Sequence, residues 1–289
     1  GRIIPQLARV RHNAPMTNEP SSELPIGVFD SGVGGLTVLK AIAEALPEED
    51  LIYLGDTARL PYGTKSPASI ERYATQAAAK LGEQGIKLLV VACNTASAVA
   101  LQALRERLAP LPVVGVVEPG AAAAVAARPG GRHLVLATEA TVRLGAYRKA
   151  IAAQDADAEV REQACEMLVA LAEEGWSSGD IARSIVRRYL DEAHGEDVDT
   201  IILGCTHFPL LRDVIREVAA DDVALVDSAS TTADVVRATL EDKGLLRVPD
   251  GNAGTLRLLA TDSATRFARV GGQFLGRALS YEDIEVVDL

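Results

Sequence analysis

At 289 residues, with 48% hydrophobic, 24% charged and only 4% aromatic residues, the chain is long enough for two domains or one large one around an aliphatic core, which excludes extended disorder and argues against a β-sandwich. A formal net charge of -11 is wrong for tracking a phosphate backbone, so nucleic acid is not an expected partner. Three cysteines (93, 165 and 205) cannot all pair, no apolar run approaches the roughly 18 residues of a membrane span, and no signal-peptide pattern is present, so the expected location is reducing and cytoplasmic, away from membranes.

Residues 1–24 mix Arg, Asn, Pro and Ser without a sustained period and read as a flexible extension. From Pro25 onward, short apolar runs end at Gly, Asp, Cys or Thr and amphipathic stretches follow, the rhythm of a parallel sheet with crossover helices. Runs at 26–29, 51–54, 87–92, 113–117, 133–137, 200–203 and 223–226 predict strands. Stretches at 36–45, 67–83, 96–108, 141–153, 178–192 and 210–219 predict helices. Residues 161–174 read as helix-like, which makes Cys165 a packing residue. Pro119 and Gly120 interrupt an Ala-rich run, so a boundary between two halves is expected near 117–120.

A weak internal echo supports the two halves. Val90-Val91-Ala92-Cys93-Asn94-Thr95 parallels Ile202-Leu203-Gly204-Cys205-Thr206-His207: an apolar strand, a small residue, a cysteine, then polar residues opening a helix. Asp30-Ser31 closes a strand about 63 residues before Cys93, and Thr138 closes another about 67 residues before Cys205. Two similar α/β halves offering strand ends to a shared crevice account for both spacings. Chance likeness of two buried strands is the alternative.

Residues 26–36 read as strand, glycine turn and helix start, the context of a dinucleotide fingerprint. After Gly32 and Gly34 that fingerprint wants glycine where Thr37 stands, and Asp30 would oppose a pyrophosphate. The glycines then either let backbone N–H groups approach a small anion or let the helix pack closely on the strand.

Cys93 and Cys205 each follow a buried-strand run, so each is expected at a strand-to-helix turn, where a thiolate gains from the helix N-terminal field. Cys205-Thr206-His207 offers two metal ligands with no second pair nearby, so no zinc site is expected. A cysteine hydrolase would leave the second thiol idle. Two thiols on opposite walls of a crevice suit inversion at carbon, one removing a proton while the other supplies one to the opposite face. Asp30 and His207 are then candidates to set the protonation of their neighbouring thiols. No strand-end motif holds a lysine suited to a Schiff base, which disfavours pyridoxal phosphate.

Five segments, taken in order, resemble the motifs of the glutamate racemase family: residues 27–38 around Asp30-Ser31-Gly32, residues 53–58, residues 60–66 with Pro61-Tyr62-Gly63, Ala92-Cys93-Asn94-Thr95-Ala96-Ser97, and residues 203–210 around Cys205-Thr206-His207. The likeness runs from about Pro25 to the mid-240s. It implies two pseudo-symmetric α/β domains with mostly parallel sheets and the active site in the cleft between them. The first would comprise 25–117 and 229–289, the second 118–228. It also implies a metal- and cofactor-independent interconversion of L- and D-glutamate that supplies D-glutamate for peptidoglycan, with a homodimer as the expected assembly. Carried over residue by residue, Cys93 and Cys205 are the acid/base thiols, with Asp30 and His207 beside them. Ser31, Pro61, Tyr62, Gly63, Asn94, Thr95 and Thr206 hold the substrate, and Thr138 and Thr141 lie on a strand end facing it. Glu173 or its neighbour Glu174 matches an acidic helix residue. The pattern departs from the family at Glu166 and Ala170, where proline is usual. A related racemase acting on aspartate or a hydantoin, and a non-catalytic binding protein with the same fold, are the competing readings; the long matches favour glutamate, and the intact thiol pair argues against a dead site.

Overall fold

Buried aliphatic strands set the architecture. The computed structural model describes residues 6–7, 21–249 and 251–289, and every strand pairing it contains is parallel. β1 (Gln6–Leu7), β2 (Ile26–Asp30), β3 (Leu51–Gly55), β4 (Leu88–Val91) and β5 (Val113–Gly115) belong to one sheet. β6 (Arg132–Ala137), β7 (Glu159–Ala164), β8 (Thr200–Gly204) and β9 (Ala224–Val226) form a second, after which β10 (Thr255–Ala260) and β11 (Ile284–Val286) return to the first. The orders are β1-β10-β3-β2-β4-β5, with β11 also on β10, and β7-β6-β8-β9. Strands β2, β3, β4 and β8 are buried along their whole length, as parallel strands covered on both faces must be.

Helices supply that cover. On the first sheet α1 (Leu36–Ala45) packs one face, and α2 (Pro67–Glu83) and α3 (Asn94–Leu108) pack the other. On the second, α4 (Val117–Ala127) lies against β6 and β8, followed by α5 (Glu139–Leu144) and α6 (Ala146–Ala152), with α7 (Glu166–Glu174), α8 (Gly179–Glu192) and α9 (Arg212–Val218) opposite. Helices α10 (Ala229–Asp242) and α11 (Ala264–Leu275) complete the α1 side. No helix among the described residues is long and apolar enough to cross a membrane.

Both sheets share one construction. The chain begins at a central strand, β2 or β6, moves to one neighbour, β3 or β7, and crosses back to pair on the other side as β4 or β8. Strand order therefore reverses at the carboxyl ends of β2/β4 and of β6/β8, where side chains from diverging loops leave a crevice.

Several expectations are corrected. Residues 161–174 divide into the end of β7, the turn at Cys165 and α7. The predicted helix 141–153 is two helices separated by Gly145, whose φ of 59° is left-handed. The predicted strand run 113–117 ends at Gly115, and Val117 already opens α4, where Pro119 loses no hydrogen bond because first-turn N–H groups have no helical acceptor. Residues 210–219 begin in a 3-10 turn, Phe208–Leu211, before α9. Of the segment expected to be a flexible extension, residues 1–5 and 8–20 lie outside the described residues, Gln6–Leu7 pairs with Thr255–Leu256, and the Ser22 carbonyl accepts Lys87 Nζ at 2.6 Å.

Candidate active site

Each reversal point carries a cysteine. Cys93 caps α3 just beyond β4, its Sγ accepting the Ala96 N–H at 3.4 Å and lying 3.5 Å from Ser31 Oγ. Cys205 follows β8 directly, and its Sγ lies 3.7 Å from His207 Nδ1. Both are buried.

On the Cys93 side, Asp30 ends β2 fully buried. Its Oδ2 accepts the Gly32 N–H at 2.9 Å and the Tyr53 hydroxyl at 3.3 Å. Burial and the Asp30 charge push the Cys93 thiol up to about 12, against the opposing help of Ser31 and the Ala96 N–H; the charge of Cys205 adds to the rise, so the two sulfurs sense each other.

On the Cys205 side, His207 Nε2 bonds Glu173 Oε1 at 3.2 Å, and Glu173 Oε2 accepts from Arg266 on α11 at 2.8 Å. Burial opposes the imidazolium, but hydrogen bonds to Cys205 and Glu173 and the charges of Cys205 and Asp30 outweigh it and raise His207 to about 10. Burial likewise opposes ionisation of Glu173, yet His207 and Arg266 hold it below the usual carboxylate range. Glu173 is thus the one of the two glutamates that meets His207, while Glu174 is exposed.

The two strand-end clusters meet. Thr95 Oγ1 lies 2.8 Å from Thr138 Oγ1, which lies 3.1 Å from Thr141 Oγ1. Thr37 Oγ1 donates to the Thr206 carbonyl at 3.4 Å. Two glycines permit this approach: a Cβ at Gly34 would fall 2.5 Å from His207 Nδ1 and 2.6 Å from Thr206 Oγ1, and one at Gly63 would fall 2.7 Å from Thr138 Cβ. The glycine turn after β2 therefore makes close packing possible across the interface between the sheets. The loop before α2 is brought in only in part. Pro61 is exposed, the buried Tyr62 hydroxyl donates to the Asp56 carboxylate, and the loop approaches the second half closely at Gly63.

Two buried polar atoms among the described residues have no partner in this cluster: Asp30 Oδ1, an acceptor, and Asn94 Nδ2, a donor. An acceptor and a donor left open beside two thiols suit a ligand that carries both a cation and an anion. An α-amino acid is such a ligand.

A family model for Asp/Glu/Hydantoin racemase matches residues 26–236. The chain belongs to this racemase family. Its relatives within it include the glutamate racemase of Geobacter metallireducens, 52% identical over 254 residues, which span 88% of this chain and 93% of that protein. Among solved structures, glutamate racemase from Francisella tularensis in complex with D-glutamate superposes with a TM-score of 0.85 at 36% identity, covering 92% of this chain and 98% of that one. Glutamate racemase from Thermus thermophilus in complex with β-chloro-D-alanine gives 0.82 at 42% identity, covering 93% and 98%.

Three side chains at this racemase-family site escaped the sequence reading. Tyr53 sits inside an apolar strand run, where a fully buried tyrosine signals a hydroxyl partner, here the Gly32 carbonyl at 2.9 Å as well as Asp30. Tyr147 lies on α6 and donates to Asn94 Oδ1 at 2.6 Å. Arg266 reaches Glu173 from 93 residues away, a pairing that no local pattern announces. Cys165 caps α7 at the end of β7, buried, with its Sγ 3.4 Å from the Gln163 carbonyl. Glu166, standing where the family usually has proline, accepts the Glu139 N–H at the start of α5.

Proposed function

We propose that the chain interconverts L- and D-glutamate by a two-thiol, cofactor-independent proton transfer, supplying D-glutamate for peptidoglycan. The observation that carries this reading is the pair of buried cysteines at equivalent strand ends, one beside Asp30 and Ser31 and the other beside His207. The substrate follows from the relatives' names and from the open acceptor and donor at Asp30 and Asn94.

In the L-to-D direction the Cys205 thiolate takes the α-proton, the C–H electron pair stays on the substrate as an enediolate-like carbanion, and the Cys93 thiol delivers a proton to the opposite face. Cys205 ends as thiol and Cys93 as thiolate; the reverse direction exchanges their parts. An amino-acid α-proton is far too weakly acidic for a free thiolate, so charge developing on the α-carboxylate needs donors aimed in advance. The hydroxyls of Ser31, Thr95, Thr138, Thr141 and Thr206 and backbone N–H groups at the start of α3 supply them, Asn94 Nδ2 holds the carboxylate already in the bound substrate, and Gly63 with its neighbours Pro61 and Tyr62 closes the loop side. Asp30 Oδ1 takes the α-ammonium. His207, held by Glu173, shares the proton of Cys205. The same reading divides the chain into a domain of 25–117 plus 229–289 and one of 118–228, with a cytoplasmic homodimer as the working form.

The test uses Cys93→Ser and Cys205→Ser. A hydroxyl is far less acidic than a thiol of ordinary pKa about 8.5, so each variant loses racemisation by orders of magnitude. Elimination from an analogue with a leaving group on the β-carbon needs one base, so Cys93→Ser still processes the L-form and Cys205→Ser the D-form. Chiral analysis reads racemisation and release of the leaving group reads elimination, both in the presence of a chelator and a carbonyl reagent. Near-normal racemisation by either variant, or equal loss of elimination from both enantiomers, overturns the assignment.

A further inference from the structure

We infer that Tyr147 is a positioning residue for this reaction, its hydroxyl fixing the Asn94 amide so that both Nδ2 protons face the substrate. The role rests on the functional reading above and extends it to a side chain that acts through another.

Asn94 is the first residue of α3, adjacent to Cys93, and is almost fully buried. A primary amide has two faces of opposite polarity, and a 180° flip would turn an acceptor oxygen toward a bound carboxylate. By donating to Asn94 Oδ1 at 2.6 Å the Tyr147 hydroxyl holds the amide in the orientation that leaves Nδ2 buried and without a partner among the described residues, the same orientation that a bound carboxylate, which only accepts, selects. Burial and the Cys205 charge keep the phenol protonated well beyond any working pH, so it remains a donor.

The placement of Tyr147 gives the bond a second consequence. A Cβ at Gly120 would lie 3.0 Å from the Tyr147 hydroxyl oxygen and 3.2 Å from Ser228 Cβ. Gly120 stands in the first turn of α4, where the chain leaves the first sheet for the second, and Ser228 caps α10, where it returns. The phenol is therefore lodged at the first crossing, with the second beside it, and reaches from them to the residue beside Cys93. Substrate-binding donors on one half are set by a side chain of the other, so orientation of the halves and orientation of the amide change together.

The experiment is a double-mutant cycle of Tyr147→Phe, Asn94→Ala and the pair, with melting temperature and racemisation kinetics measured for each. Because the two enantiomers have equal free energy, kcat/KM is the same in both directions, and the informative readouts are KM and kcat taken separately. Asn94→Ala is expected to raise KM about tenfold or more, the usual loss for a hydrogen bond to a charged group. Tyr147→Phe is expected to raise KM several-fold with a smaller change in kcat, and to add nothing in the Asn94→Ala background. Effects that multiply in the double variant, or an unchanged KM for Tyr147→Phe, overturn the positioning role. Should Tyr147→Phe fail to fold, Asn94→Asp takes its place: it keeps an acceptor for Tyr147 while removing both Nδ2 donors, and a KM equal to that of the unmodified chain overturns the proposal. Absence of glutamate turnover in the unmodified chain instead overturns the functional reading; turnover with a multiplicative cycle overturns only the role of Tyr147.

Discussion

Cys93 and Cys205 stand in equivalent places but not in equivalent fields. Burial and Asp30 push Cys93 up to about 12, so in the free protein it holds its proton, whereas Cys205 faces a histidine raised to about 10. Racemisation hides this difference, because an equilibrium constant of one forces equal kcat/KM in both directions at every pH. Elimination from a β-substituted analogue is irreversible and escapes that constraint. For the D-form, which Cys93 must deprotonate, the thiolate fraction grows tenfold per pH unit below the thiol pKa, so kcat/KM for elimination is expected to climb through the alkaline range toward 12. The L-form, worked through Cys205 with His207 rather than Asp30 beside it, is expected to show a different profile. Superimposable pH profiles for the two enantiomers would show that the fields of Asp30 and His207 do not distinguish the thiols.

At the scale of elements, the contact between the turn entering α1 and the end of β8 decides whether the thiol clusters can meet. Gly34→Ala would set a methyl 2.5 Å from His207 Nδ1 and 2.6 Å from Thr206 Oγ1, so the two halves must part or His207 must turn. Overpacking of this kind costs about 1–3 kcal/mol, and here the strain falls on the ring beside Cys205. The expected outcome is a cooperative but lowered melt with kcat reduced well beyond the change in KM; unaltered kcat would show that the contact is slack. Elements of this type were legible because fully buried parallel strands are continuous apolar runs, as at β2, β3 and β8, and because both thiols close such runs. β7 was not legible: as a partly exposed edge strand, Glu159-Val160-Arg161-Glu162-Gln163-Ala164 carries charge along its length and merges by pattern with the helix that follows. The break at Gly145 was hidden because residues 141–153 read as one amphipathic helix, and the helix start at Val117 because residues 113–117 read as one apolar strand run.

At the scale of the whole molecule, residues that act within one strand-to-helix turn were readable and those that cross between turns were not. Asp30, Cys93, Cys205 and His207 announce themselves by position, whereas Tyr147 with Asn94, 53 residues apart, and Arg266 with Glu173 depend on how two sheets are set against each other. The start of the chain poses the same problem. Lys87 is fully buried at the entry to β4, where burial pulls its ammonium below the usual lysine range despite the paired Glu49, and its Nζ is also held by the Ser22 carbonyl at 2.6 Å. Arg247 donates to the Glu23 carbonyl at 2.8 Å. Residues 21–24 are thus part of the fold, although they share the aperiodic composition of the segment before them. Two truncations separate these parts. A chain beginning at Ser21 keeps both carbonyl acceptors and, among the described residues, loses the short pairing of Gln6–Leu7 with β10, so it is expected to melt cooperatively and retain turnover. A chain beginning at Pro25 strips acceptors from a buried ammonium and a half-buried guanidinium, a loss of about 1–3 kcal/mol for each charged group left short. At about 2–4 °C per kcal/mol for a chain of this size, its melt is expected several degrees lower, with KM for glutamate unchanged because neither carbonyl lies near the thiols. Equal melting temperatures for the two truncations would show that Ser22 and Glu23 contribute nothing to stability, and collapse of the Ser21 form would show that pairing on β10 holds the first sheet together.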